Sequence, residues 1–171
     1  MDYSDLLRWQ WVLCLSAFDK FLHESVKIGM LEILAGTRMP TKKYLGFRIG
    51  SEKLMAIIDE PHMKSHIFEQ EIQDQHGYQS FMDPAKMTDA LSLIWEESHK
   101  WQVLSQKLAM TESDVKVKLK NIVVRRNQIV HEGDCQAGVY RQDIYPEDVD
   151  NVREFVVNLA NAVYDSIIHC R

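Results

Sequence analysis

The stretch Val115-Lys-Val-Lys-Leu-Lys-Asn-Ile-Val-Val-Arg-Arg-Asn-Gln-Ile-Val-His131 decides how this chain is interpreted. Its apolar residues recur at steps of three and four, the spacing of one face of an α-helix: Val115, Leu119, Ile122 and Ile129. Position 126 falls on the same stripe and is an arginine, while the neighbouring row leads from Val123 through Asn127 to His131. Because an unpaired buried charge is costly, we expect a partner carboxylate, a cleft or a subunit interface beside Arg126.

Similar spacing predicts helices along most of the chain. Capping residues and helix breakers place them as follows: Ser4 to Leu34, Pro61 to His76, Pro84 to about Ala109, Thr111 to about Glu132, and Pro146 through Ile167. Between Thr41 and Asp59 the pattern is weakest and predicts a turn or a short helix at Ser51. We therefore predict an all-α fold, a bundle of four long helices with one or two additional short helices, forming a single domain over residues 1–171.

The composition sets limits on the class of protein. With 171 residues, 46% hydrophobic and 26% charged, the chain can bury a sizeable core. Its formal net charge of −5 does not indicate a nucleic-acid-binding protein, so any polyanion site must be local. The scattered Cys14, Cys135 and Cys170 favour neither a disulfide framework nor a zinc site. A basic leader and a membrane-spanning apolar run are also missing from the pattern, and we expect a cytoplasmic protein without a membrane or metal partner.

Arg126 and His131 also have ordinary structural explanations. An arginine on a helical stripe commonly extends its charge to the surface or pairs with an acid, and a histidine there is commonly a hydrogen-bonded core residue. Taken singly, each explanation is better than a functional one. Together, with Asn127 between them and near a helix end, the residues favour neither interpretation on pattern alone.

The six residues from Arg126 to His131 match the Arg-Asn-x-x-x-His form of the signature of HEPN ribonucleases, so the chain resembles that superfamily. The surrounding residues 123–134, Val-Val-Arg-Arg-Asn-Gln-Ile-Val-His-Glu-Gly-Asp, are similar to the RiboL-PSP subgroup. Residues 15–24 of the first helix, Leu-Ser-Ala-Phe-Asp-Lys-Phe-Leu-His-Glu, resemble the same subgroup. The resemblance extends from the first helix to the end of the chain and is weakest between Pro40 and Gly77.

The resemblance implies a metal-independent endoribonuclease that uses no cofactor and forms its site across a homodimer. The 2′-hydroxyl of RNA attacks the adjacent phosphate, leaving a 2′,3′-cyclic phosphate or 3′-phosphate and a 5′-hydroxyl. His131 is expected to act as general base or acid, Arg126 to hold the phosphate, and Asn127 to orient the pair or bind the phosphate. Arg126 and His131 are roughly 140° apart on an ideal helix, so a frayed helix end or two copies meeting at a two-fold axis must bring them together.

Arg125 and Lys120 are predicted to bind the substrate. With Lys116, Lys118 and Arg126 they place five positive charges in a short segment that contains no carboxylate. This segment indicates either a track that leads RNA to the site or a solvated helix face balanced by acidic neighbours in space.

Three further residues are candidates for supporting roles. Asp19 and His23 are four residues apart and can touch on the first helix, where they either lie near the active cleft or form an ordinary helical pair. Asp134 follows the motif and either orients His131 or belongs to a turn.

The function favoured by the resemblance is that of a toxin or phage-defence effector, with RNA as substrate and an antitoxin or other regulatory protein as a further partner. The alternative is a non-catalytic HEPN-like module that binds RNA, a nucleotide or a partner protein. A third possibility, a structural oligomerising bundle, predicts that buried carboxylates neutralise Arg126. A motif sealed inside the protomer, away from any cleft, favours the alternatives over the enzyme.

Overall fold

The computed structural model describes residues 3–136 and 140–168, and in them the fold is all-α, as predicted. The helices are α1 (Ser4–Leu34), α2 (Lys42–Leu45), α3 (Ser51–Asp59), α4 (Lys64–His76), α5 (Pro84–Leu91), α6 (Lys100–Lys107), α7 (Glu112–Glu132) and α8 (Pro146–Ile168). A 3-10 turn at Pro61–Met63 precedes α4. After α7, β1 (Cys135–Gln136) and β2 (Tyr140–Arg141) form a two-stranded antiparallel pair in which Cys135 faces Arg141. Cys170 lies outside the described residues.

The predicted ends of α7 are confirmed by its caps. Thr111 precedes the helix with an extended backbone, and its hydroxyl accepts a hydrogen bond from the backbone N–H of Asp114. Gly133 ends the helix in the left-handed conformation, at φ 65°, which glycine adopts without steric cost. α7 is therefore a regular helix through the whole Arg-Asn-x-x-x-His segment.

The single long helix predicted from Pro84 to about Ala109 is wrong, because the chain leaves the helix after Leu91 and resumes it at Lys100. The physical reason lies in three consecutive apolar residues that are all buried: Leu93, Ile94 and Trp95. Successive residues of a helix are about 100° apart, so one continuous helix cannot turn all three towards the same core. A turn there lets each of them pack inward.

The weakly patterned segment between Thr41 and Asp59 also differs from the prediction, since it contains α2 as well as the short helix at Ser51. In the described chain, α1, α4, α7 and α8 are the four longest helices, and four shorter helices accompany them rather than one or two. Whether these short helices form depends on the free energy of burial in tertiary contacts. A local sequence pattern contains no information on those contacts.

α1 is the central element of the bundle and contacts α4, α5, α7 and α8. Its buried stripe includes Leu15, Leu22 and Met30, which belong to a single core cluster. Trp11 fixes α1 against α7, because its indole N–H donates to the backbone carbonyl of Ile122 over 3.2 Å. None of the helices in the described ranges is both long and apolar enough to cross a membrane.

The close approach of α1 to the turn after α5 gives a first prediction. A Cβ atom on Gly29 would lie 2.6 Å from Cγ2 and 2.9 Å from Cβ of Ile94. We expect Gly29→Ala to lower the free energy of unfolding by about 1–3 kcal/mol, the range found for overpacked cores. The matched control is Gly50→Ala, where a Cβ meets nothing within 4 Å. Urea denaturation of both variants checks this, and equal midpoints for the two would contradict the packing argument.

Candidate active site

Arg126 lies where the buried stripe of α7 ends. Val115, Leu119 and Ile122 are buried, but Arg126 and Ile129 are only half-buried. The Nη1 group of Arg126 donates to Oδ1 of Asn127 over 3.0 Å, and the structure gives its buried Nε no hydrogen-bond acceptor among the described residues. Within residues 3–136 and 140–168, no carboxylate lies within ion-pair distance of Arg126. The face therefore opens on a cleft instead of presenting a neutralising acid.

The cleft has a volume of about 390 Å³ and lies between α1, the end of α4 and the loop that follows it. Arg126 forms part of its lining, and so do Asp19 and His23. Oδ1 of Asp19 accepts the backbone N–H of Phe81 over 2.8 Å, and Nε2 of His23 donates to the carbonyl of Gln79 over 2.9 Å. The ring of His23 also stacks on Phe81 with centroids 4.0 Å apart.

The structure thus places Asp19 and His23 at the cleft that contains Arg126, in accordance with the functional alternative. They are also the helical neighbours that their spacing predicted, because His23 Nε2 lies 3.9 Å from Asp19 Oδ1. Asp19 is not an ion-pair partner of Arg126. Its hydrogen bond to Phe81 instead holds the loop after α4 against α1 and shapes the wall of the cleft.

Arg125 and Asp134 occupy a different environment, a buried charge cluster that also contains Arg8. The carboxylate of Asp134 has no exposed surface, and its Oδ2 accepts from Nε of Arg8 at 2.9 Å and from Nη2 of Arg125 at 3.3 Å. The Arg125 guanidinium also donates to the carbonyl of Asp143 at 2.6 Å and lies over the ring of Trp11, 5.1 Å from its centroid.

These contacts bear on two predictions. Arg125, which we predict to bind substrate, is ion-paired and held by protein groups, because Asp134 comes back against α7 immediately after the helix ends. Asp134 lies in the turn after α7, the second of its two predicted settings, and its described side-chain hydrogen bonds go to arginines and not to His131. Both residues therefore hold the end of α7 in place.

His131, Asn127 and Lys120 lie exposed on one face of α7. Their spacing of seven and four residues brings them within about 40° of one another around the helix. The structure gives His131 no hydrogen bond or ion pair within the described ranges. Since α7 is regular through Glu132, Arg126 remains roughly 140° away from His131, and a frayed helix end does not bring the two together.

The lysines of α7 do not form one continuous positive surface that is open to RNA along the helix. Lys116 pairs with Glu112 and lies over the ring of Trp101, and Lys118 lies over Phe155 with its Nζ 4.9 Å from the centroid. Lys120 has no such partner among the described residues. Lys116 and Lys118 therefore fit the alternative in which the helix face has its own local contacts. Lys120 stays available to bind a substrate.

The signature residues now have a defined setting on the C-terminal half of α7. A family model described as RiboL-PSP-HEPN matches residues 1–169. The chain belongs to the RiboL-PSP-HEPN family. None of the curated proteins and none of the solved structures matches it.

In this RiboL-PSP-HEPN chain, no group of three or more His, Cys, Asp or Glu side chains in residues 3–136 and 140–168 could hold a metal ion. The described Cys14 and Cys135 are free thiols.

Sequence reasoning missed Arg8 as a partner of Asp134, which follows the family motif. A signal was present, because Arg8 falls on the same stripe as Trp11, Leu15 and Phe18, at steps of three, four and three. An arginine on a buried stripe of α1 and another on α7 require a shared acid, and Asp134 supplies it. The backbone of Asp134 has a φ of 62°, a left-handed conformation that aspartate and asparagine tolerate better than most residues.

The charge cluster gives a second prediction. Asp134→Asn keeps the shape and tolerates the left-handed backbone, but it leaves the positive charges of Arg8 and Arg125 without their buried carboxylate. We expect the free energy of unfolding to fall by about 3 kcal/mol, as for other broken buried ion pairs. The matched control is Asp150→Asn, whose ion pair with Arg153 is exposed and should change stability by less than about 1 kcal/mol. Similar urea midpoints for the two variants would show that the cluster does not stabilise the fold.

Proposed function

We propose that this RiboL-PSP-HEPN protein is a metal-independent endoribonuclease whose site is formed by two copies of the chain. Family membership makes a ribonuclease or an RNA-binding module the class to test. The observation that carries the proposal is the contrast between two adjacent arginines. Arg125 is ion-paired with Asp134, whereas Arg126 has only the neutral Asn127 as a described partner and forms part of an open cleft. A guanidinium in that state is available to an RNA phosphate.

The residues suit cleavage by the 2′-hydroxyl of the substrate. Arg126 binds the scissile phosphate and stabilises the negative charge that develops on it, and Asn127 holds the guanidinium through its side-chain oxygen. A histidine such as His131 removes the proton of the 2′-hydroxyl as its oxygen bonds to phosphorus. The bond from phosphorus to the 5′-oxygen then breaks, and the leaving oxygen takes a proton from the protonated histidine or from water to become a 5′-hydroxyl. The other product is a 2′,3′-cyclic phosphate, which water opens to a 3′-phosphate when the reaction goes on to hydrolysis.

The unbroken α7 supports a site shared between copies. On one helix Arg126 and His131 point in directions about 140° apart, so a second copy related by a two-fold axis is the simplest way to place both at one phosphate. An apolar surface next to the motif offers an interface. Trp9 is 64% exposed, Leu13 57% and Val130 47%, and Trp9 and Val130 line the same shallow depression between α1 and α7.

A second candidate function is a non-catalytic HEPN-like module that binds RNA, a nucleotide or a partner protein. It is favoured by one observation, the exposed His131, whose ring is fixed by no hydrogen bond within the described residues. A general base is usually held in place by such a bond. In the dimeric enzyme that we propose, the second copy supplies this missing contact.

Family resemblance further suggests a toxin or phage-defence effector kept inactive by an antitoxin or other regulatory protein. We then expect such a regulator to bind the apolar depression beside Val130, the same surface that the second copy of the chain would use.

The enzymatic proposal is tested by incubating end-labelled total RNA with the protein in EDTA. We expect the wild-type protein to cleave it and to leave 5′-hydroxyl ends. Arg126→Ala and His131→Ala should each be slower by about a hundredfold or more, as is typical when a charge-stabilising or acid–base group is removed. Arg153→Ala is the matched control, because Arg153 is exposed and pairs with the exposed Asp150. Cleavage that continues in both motif variants would contradict the proposed roles.

The shared site is tested by mixing the two inactive variants. If Arg126 of one copy acts with the histidine of the other, a dimer of Arg126→Ala with His131→Ala contains one intact site and one that lacks both groups. After subunit exchange at equal amounts, about one quarter of the wild-type activity should return, since half the dimers are mixed and each has half the sites. Light scattering establishes that the mixture is dimeric. A dimeric mixture that stays inactive would show that each site lies within one copy.

A further inference from the structure

A second cleft adjoins the one at Arg126. The second cleft, of about 570 Å³, lies between the loop after α2, the end of α4 and α5. Both clefts are lined by His76, Gln79 and Phe81, so they lie next to each other at the loop that follows α4. We call the combined feature the long groove. It begins at Arg126 and ends at Arg48 and Lys86.

The two ends of the long groove carry available positive charge. Arg48 and Lys86 are exposed, and the structure gives their side chains no ion pair within the described ranges. Arg126, at the opposite end, is half-buried and likewise has no ion pair among the described residues. The other cations of the groove are engaged: Lys20 and Lys27 with Glu24, and Lys43 with Asp89.

The carboxylates of the long groove are engaged as well. Glu24 and Asp89 bind these lysines, and Asp19 accepts the backbone N–H of Phe81. Hydrogen bonds from Lys20 and Lys27 lower the pKa of the Glu24 carboxyl. The carboxylates of the long groove therefore have protein partners and its ends are positive, which suits a phosphate backbone.

The middle of the long groove is aromatic rather than charged. The rings of His76 and Phe81 are 5.7 Å apart in an edge-on arrangement, and burial lowers the pKa of His76, as do the charges of His23 and Lys43. These effects favour the uncharged form of the His76 ring. At the rim, Tyr78 has an exposed fraction of 81%, which leaves its ring free to stack on a base.

We propose that a single-stranded arm of the RNA substrate lies in the long groove, with its phosphates bound by Arg48 and Lys86 and one base stacked on Tyr78. The inference rests on the proposed function, since it extends the substrate from the phosphate at Arg126. A cleft between helices accepts one strand with unstacked bases, whereas duplex RNA is contacted across its broad minor groove. The long groove therefore selects single-stranded RNA.

The test uses a short, fluorescently labelled 2′-O-methyl RNA of mixed sequence, which cannot be cleaved through its 2′-hydroxyls. Its anisotropy measures binding to the full-length protein over a range of salt concentrations. Arg48→Gln/Lys86→Gln is compared with Lys64→Gln/Lys107→Gln, which removes the same charge at exposed positions outside the groove. We expect the groove variant to bind about tenfold more weakly than the control, with a salt slope smaller by about 1.4, because each single-strand phosphate contact contributes about 0.7.

Tyr78 is tested in the same assay, where Tyr78→Ala should weaken binding severalfold and Tyr78→Phe should not, because phenylalanine keeps the stacking face. Equal affinity and slope for the groove and control variants would overturn the groove and leave the ribonuclease proposal intact if cleavage persists. Equally tight binding of a duplex of the same length would also overturn it. A wild-type protein that neither binds nor cleaves RNA would refute both proposals.

Discussion

The buried carboxylate of Asp134 joins the parts of the molecule on which the proposed site depends. It lies directly after the αL glycine that ends α7, and it accepts hydrogen bonds from Arg8 on α1 and Arg125 on α7. Both arginines reach further along the chain, to the backbone carbonyls of Gln142 and Asp143, and the N–H of Gln142 returns to the carbonyl of Asp134. One acid thereby fixes α1, the end of α7 and the segment that leads to α8.

The same interaction separates two arginines that are adjacent in sequence. Neighbouring residues on a helix differ in direction by about 100°, so when Arg125 turns towards Asp134 and Trp11, Arg126 must turn elsewhere. It lines the cleft that Asp19 and His23 also line, and no carboxylate of the described residues lies within ion-pair distance of it. The charge that an RNA phosphate would meet is thus left available by the structural use of its neighbour. A regular α7 also fixes the angle between Arg126 and His131, and this angle is the reason why the proposed chemistry includes a second copy.

Much of the fold could be predicted from the sequence because it depends on local signals. The cap at Thr111, the left-handed Gly133 and the stripe of α1 are each decided by neighbouring residues, and the structure confirms the helices that they delimit. The break after Leu91 could not be predicted from spacing, because it follows from the burial of Leu93, Ile94 and Trp95 against distant elements. The sequence pattern places Arg126 and Ile129 on the apolar stripe of α7. Whether this end of the stripe is buried or open to a cleft depends on α1 and on the loop after α4.

The candidate site shows the same division. The resemblance to HEPN ribonucleases identifies the motif residues, which helical spacing alone leaves undecided. The different environments of Arg125 and Arg126 arise from Asp134, and the long groove arises where α1, α4 and α5 meet. α1 is about 46 Å long at the helical rise per residue, and this length lets it take part in two surfaces. Trp9 and Leu13 form apolar surface near its first turns, while Asp19 and His23 line the cleft in its middle. A dimer formed through the first surface leaves the second to the RNA, so the two proposals use different residues of one helix and do not compete for the same side chains.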